Sequence, residues 1–153
     1  MPTNFYDKTI IADASCLLVF AHIGRFPLLQ VLCPQLITTP EVAMEYRDNL
    51  PSWIQVVSVQ NVAVTKSINA VLGLGESSAI ALALETQNPL IILDDKRART
   101  YAKNFGLDHT GVIGLLRLGY KEGLIKDIDV LLTELKTDCF YLPTNVEELI
   151  KGY

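Results

Sequence analysis

Short β-branched runs alternate along the chain with longer stretches in which apolar residues recur every three or four positions, and the change of period separates strand from helix. Thr9-Ile10-Ile11-Ala12 is the first such run and ends at Asp13, after which Ser15 can cap a helix through Cys16, Leu17, Leu18 and Phe20. Leu36-Ile37-Thr38 is the second. It stops at Thr39-Pro40, where proline suits the first turn of a helix carrying Val42, Met44, Glu45 and Tyr46. Leu50-Pro51-Ser52 breaks the chain before Trp53 to Val59, whose alternation predicts a third strand. Gly73-Leu74-Gly75 leads into an alanine-rich helix over Glu76 to Glu85, ended by Asn88-Pro89. Leu90-Ile91-Ile92-Leu93 is an unbroken apolar run of the kind buried on both faces, and it delivers Asp94 and Asp95 at its end. Lys96 to Phe105 is a basic helix stopped at Gly106, Leu107 to Thr110 a short strand, and Gly111 to Glu122 a helix closed by Gly123. Asp127 to Leu135 and Asn145 to Ile150 are amphipathic helices, joined by Phe140-Tyr141-Leu142-Pro143.

Strands alternating with helices predict a three-layer α/β/α sandwich with a central parallel sheet and right-handed crossovers, in one domain over residues 1–153. The 153 residues, 50% hydrophobic and 20% charged, suit that reading. A chain of this size buries about 70% of its unfolded surface and needs no staple. Cys16, Cys33 and Cys139 have neither metal-ligand spacing nor a disulfide framework and read as core packing. That favours a reducing, cytoplasmic setting. The opening residues lack the pattern of a secretory leader, and no apolar run reaches the roughly 20 residues of a membrane span, so no membrane partner is expected. With a net charge of −4 there is no global attraction to nucleic acid, and any such role rests on local charge.

In a parallel sheet the C-terminal ends of the strands gather at one edge, where ligands bind. Asp13 follows the first strand, Glu45 lies in the helix after the second, Glu76 opens the alanine-rich helix, and Asp94 and Asp95 follow the buried strand. Carboxylates about 5 Å apart repel by roughly 3 kcal/mol per pair at an effective dielectric near 20. Four together therefore call for protons or cations. Oxygen ligands without nearby Cys or His suit Mg²⁺ or Mn²⁺, which activate water and steady the leaving oxygen of a phosphodiester.

Five segments in order, IIADASCLLVF, TTPEVAMEY, LGLGESSAIALALE, LIILDDKRAR and HTGVIGLLRLGYKEGLI, resemble a PIN domain, and more narrowly the prokaryotic branch related to VapC-type toxins. The resemblance spans about Thr9 to Leu142. It implies a metal-dependent endoribonuclease acting on RNA phosphodiesters, with Asp13, Glu45, Glu76 and Asp95 as the metal-binding acids and Asp94 beside the last. Ser15 matches the small polar residue that supports the first acid. Glu76 stands where many relatives carry Asp, and either Asp94 or Asp95 can be the inner ligand. The family also implies a toxin with an antitoxin protein as partner, and a homodimer.

Each acid also has an ordinary explanation: Asp13 as a turn or cap, Glu45 as a solvated charge, Glu76 as a charge on the helix dipole, Asp94-Asp95 as a cap. Their coincidence at one sheet edge is what argues for a site. Lys96, Arg97 and Arg99, with Lys103, can hold RNA phosphates or simply solvate a helix face. GLGES lacks the lysine of a phosphate-binding loop, and His22 and His109 read as structural. A non-catalytic PIN-like module that binds RNA or protein is the alternative. A receiver-like domain is disfavoured for want of a placed lysine.

Overall fold

A computed structural model describes residues 5–136 and 142–152. Cys139 and the Phe140-Tyr141 part of the last connection lie outside the described residues. The elements run β1 (Thr9–Ala12), α1 (Ala14–His22), α2 (Phe26–Leu32), β2 (Leu36–Thr38), α3 (Pro40–Tyr46), β3 (Gln55–Val56), α4 (Val62–Asn69), α5 (Leu74–Leu84), β4 (Pro89–Ile92), α6 (Lys96–Asn104), β5 (Asp108–Thr110), α7 (Val112–Lys121), α8 (Ile128–Leu135) and α9 (Val146–Lys151).

All five strands are parallel, in the order β3-β2-β1-β4-β5, and helices flank the sheet in an α/β/α sandwich. The chain builds outward from β1 to β3 on one side, then crosses back to place β4 on the other. Between β1 and β4 lies the topological switch point, where the loops leaving the two strands diverge and open a crevice. The register sets Ala12 beside Ile92, so Asp13 and the residues after Ile92 leave the sheet side by side.

Ile10, Ile11, Leu90, Ile91 and Ile92 are fully buried, as strands covered on both faces must be. Over them packs α5, whose Ala79, Ala81 and Ala83 keep its backbone close to β1 and β4. Buried Cys16 and Cys33 belong to the same core. Burial pushes the Cys33 thiol up to about 12 and the Cys16 thiol well above its usual value, leaving both as inert packing.

The third strand is shorter than the alternation of Trp53 to Val59 predicts. Its ladder reaches only Gln55 and Val56, both exposed at the sheet margin. Ile54 is held in a turn by Pro51, and Trp53, Val57 and Val59 pack on the core from irregular backbone, which gives the same alternation. Two helices have no counterpart in the pattern: α2, opened by Pro27, and α4, whose single buried stripe is Thr65 and Ile68. Among the described residues no helix is long and apolar enough to cross a membrane.

Candidate functional site

The strand β1 hands over to α1 at Asp13, the N-cap of that helix, whose Oδ1 accepts the Cys16 N–H at 2.9 Å. Ser15, expected to make this cap, is exposed in the first turn instead. Asp13 is only 3% exposed. Burial pushes its carboxyl up to about 7 from 3.8; the Cys16 amide opposes the rise, the carboxylates of Asp94 and Glu76 add to it, and the Asp94 amide opposes it again. The first strand's acid is thus a buried carboxyl with two acidic neighbours.

Two residues more separate β4 from its helix, so two aspartates fit there and they differ. Asp95 is the exposed N-cap of α6 and accepts the Ala98 N–H at 2.9 Å. Asp94 turns inward: its Oδ1 accepts from Arg99 Nη2 at 3.3 Å and from the Val112 N–H at 3.2 Å. Arg99 is anchored again by Nε to the Leu93 carbonyl at 2.7 Å. The other oxygen, Oδ2, is buried and has no hydrogen-bond partner. Burial raises the Asp94 pKa, with the Val112 amide and Arg99 working against it. Glycine at 111 leaves room for the Arg99–Asp94 pair, because a Cβ there would run into the Arg99 guanidinium and come within 2.7 Å of Asp94 Oδ1, and the pair would have to shift.

Glu76 is half-buried in the first turn of α5 and takes the backbone N–H of Gly73, the cap residue, as the acidic half of a capping box. Burial raises its pKa first and Asp95 second; the Gly73 amide opposes them and Glu45 adds a smaller rise. Glu45 is exposed on α3 and reaches across to the same helix start, where its Oε1 accepts the Gly75 N–H at 3.0 Å. A Cβ on Gly75 would lie 2.6 to 2.8 Å from that carboxylate. Beneath these contacts a buried Thr39–Ser78 hydroxyl bond of 2.7 Å ties the start of α3 to α5.

Asp13 is raised by the nearby charges of Asp94 and Glu76, and Glu76 by those of Asp95 and Glu45. Lys96 and Arg97 are exposed at the start of α6 beside them. Arg99 differs from both, since two of its nitrogens are spent on Leu93 and Asp94. Sequence reasoning missed that role, and it missed the cavity that Arg99 shares with His109 and Gly111. The only trace in the sequence is Gly111 directly after a strand that neighbours the acidic one.

An all-oxygen donor set with one buried, unpartnered carboxylate oxygen and a carboxyl driven toward neutrality suits a hard divalent cation chemically. Among the described residues, however, no three His, Cys, Asp or Glu side chains stand close enough to hold an ion as they lie. An ion held there would therefore take one or two of these carboxylates directly and complete its shell with water. A PIN-domain family model matches residues 9–151. Comparison with curated proteins found no match, and neither did comparison with solved structures.

Proposed function

Because the chain belongs to the PIN-domain family, we propose that it is a metal-dependent endoribonuclease whose centre is the acidic edge at the β1–β4 switch point. The observation that carries the proposal is Asp13, a carboxyl buried at the end of a central strand among like charges that only a proton or a cation relieves. Asp13, Asp94 and Glu76 would hold Mg²⁺ or Mn²⁺, with Glu45 and Asp95 at the margin; the ion, when bound, activates water and neutralises charge on the phosphodiester. The Cys16 and Asp94 amides fix Asp13, and Arg99 fixes Asp94, so two ligands are set before substrate arrives. Lys96 and Arg97 engage the RNA backbone, with Ser15 at the mouth of the crevice. Incubating the protein with single-stranded and structured RNA and Mn²⁺ tests this: cleavage that stops with EDTA and in Asp13→Asn supports the reading, and equal cleavage in Asp13→Asn overturns it.

The proposal extends to a cytoplasmic toxin neutralised by an antitoxin protein, and to a homodimer. Growth arrest on induced expression supports the first, and a sedimenting mass of two chains the second. A non-catalytic RNA- or protein-binding module is the second reading, favoured by the open spacing of the acids. RNA binding that survives every acid substitution, in a protein that cleaves nothing, would select it.

A further inference from the structure

Beside the acidic edge the sheet carries a pocket of opposite character. A cavity of about 260 Å³ is lined by Arg99, His109, Thr110, Gly111, Ile113 and Gly114. It lies where β5 runs into α7, next to the end of β4 that carries Asp94, so it opens at the same edge as the acids. None of its lining residues is a carboxylate. Burial lowers the His109 pKa, and Arg99 and Lys103 lower it further while Asp108 acts the other way.

Arg99 makes this a prepared site rather than a loose cationic patch. A solvated lysine must be immobilised when it binds an anion, at a cost in side-chain entropy. Arg99 is already held through Leu93 and Asp94, and a guanidinium has five N–H donors, so donors remain for the cavity. Glycine at 111 lets the guanidinium lie against the backbone. The volume lies just below the range of about 300–1,000 Å³ for drug-sized ligands, which fits one phosphodiester group better than a whole nucleotide.

We propose that this cavity takes a backbone phosphate of the RNA strand, the one flanking the scissile phosphate, with Arg99 and His109 as its ligands. Arg99 then touches both the acid that holds the cation and the strand to be cut. The position of this phosphate relative to the scissile one rests on the endoribonuclease reading; the phosphate contact itself does not.

The test uses the full chain carrying Asp13→Asn, in EDTA, so that neither metal nor cleavage enters. Binding of a single-stranded RNA oligomer is followed by fluorescence anisotropy over a range of salt. Placing His109→Glu in that background sets a carboxylate against Arg99 and should weaken binding about tenfold, the loss of one charge-assisted contact made by the guanidinium, and flatten the salt dependence by about 0.7 in slope, one single-strand phosphate. His109→Gln, which changes no charge, should keep the slope and lose at most the imidazole's hydrogen bond. Circular dichroism melts matched to the parent keep misfolding out of the comparison. A scan of oligomers with single methylphosphonates supplies a measurement that alters no protein residue. One position should cost the parent the same factor and cost His109→Glu nothing.

Unchanged affinity and slope in His109→Glu, or no position-specific loss in the scan, would overturn the assignment. So would inorganic phosphate or a mononucleotide binding the parent as tightly as the oligomer does, since the cavity would then serve a free phosphate. If the wild-type chain cleaves no RNA while the His109 results hold, the nuclease reading fails and the phosphate contact stands.

Discussion

Arg99 and Asp94 form an ion pair of 3.3 Å that fixes one carboxylate oxygen and leaves the other buried without a partner. The pair belongs to a tight assembly: the same oxygen takes the Val112 amide, and the same guanidinium takes the Leu93 carbonyl. Carboxylates that ligate metals are held in this way by partners behind them, and loss of such a partner costs about 10- to 100-fold in metal affinity or activity. Arg99→Gln should therefore lower Mn²⁺ affinity and RNA cleavage by about that factor. Arg99→Lys should rescue little, because an ammonium cannot bridge Leu93 and Asp94 as the planar fork does. Full Mn²⁺ affinity in Arg99→Gln by calorimetry would remove Arg99 from the support of the site.

Acid at the sheet edge sets the sign of the pH dependence. The Asp13 carboxyl titrates near 7 in the folded chain against 3.8 ordinarily, so the folded state holds this proton more tightly than the unfolded one. Its stabilising contribution is complete below about pH 4 and is lost as pH rises to about 7, on the order of 4 kcal/mol at about 1.36 per unit. Glu76 and Asp94 are raised as well and act in the same direction; His109, lowered, acts oppositely. The comparison that isolates Asp13 is therefore wild type against Asp13→Asn. Without metal, Asp13→Asn should gain melting temperature over wild type at pH 8 and gain none at pH 4. A difference independent of pH would refute the assignment.

Gly75→Ala should separate stability from activity. Alanine is favoured over glycine in a helix by up to about 1 kcal/mol, and the atoms a Cβ would strike are the far end of the Glu45 side chain, which can move. Thermal stability should stay level or rise while cleavage falls, since Glu45 is displaced. Loss of stability together with activity would mean that the Glu45–Gly75 contact serves the fold alone.

Thr39→Ala removes the α3 cap, whose Oγ1 accepts the Val42 N–H at 3.1 Å, and breaks the buried bond to Ser78. Ser78 still donates to the Gly75 carbonyl at 2.8 Å, so it is not orphaned. The cost should be about 1–2 kcal/mol in chemical denaturation, and Thr39→Ser should recover most of it. A cost near zero would show that α3 is held by packing without its cap.

The layered fold is legible in the sequence because β1 and β4 are buried on both faces, and Ile10-Ile11 and Leu90-Ile91-Ile92 therefore carry their own signal. So are the helices that open at Pro40 and Leu74. An edge strand of two exposed residues carries almost none, and α2 and α4 bury too few side chains to impose a clear period. The strand-end positions of Asp13 and Asp94 were legible in the sequence, whereas the spacing of the acids was not: no three of them stand close enough among the described residues to hold an ion as they lie. What one-dimensional spacing does not contain is direction. The exposed cap role of Asp95, the inward turn of Asp94 and the capture of Arg99 depend on the two extra residues between β4 and α6 and on the close approach at Gly111, 17 residues after Asp94. His109 looked isolated for the same reason: its neighbours in the cavity come from α6 and α7.

The most direct test titrates Mn²⁺ into the metal-free protein at pH 7.5 by calorimetry in two buffers of different ionisation enthalpy. A cation site built on Asp13 should bind Mn²⁺ with net proton release, and Asp13→Asn should lose both the affinity and the released proton. Wild type and Asp13→Asn binding Mn²⁺ alike, with no proton released, would contradict the account.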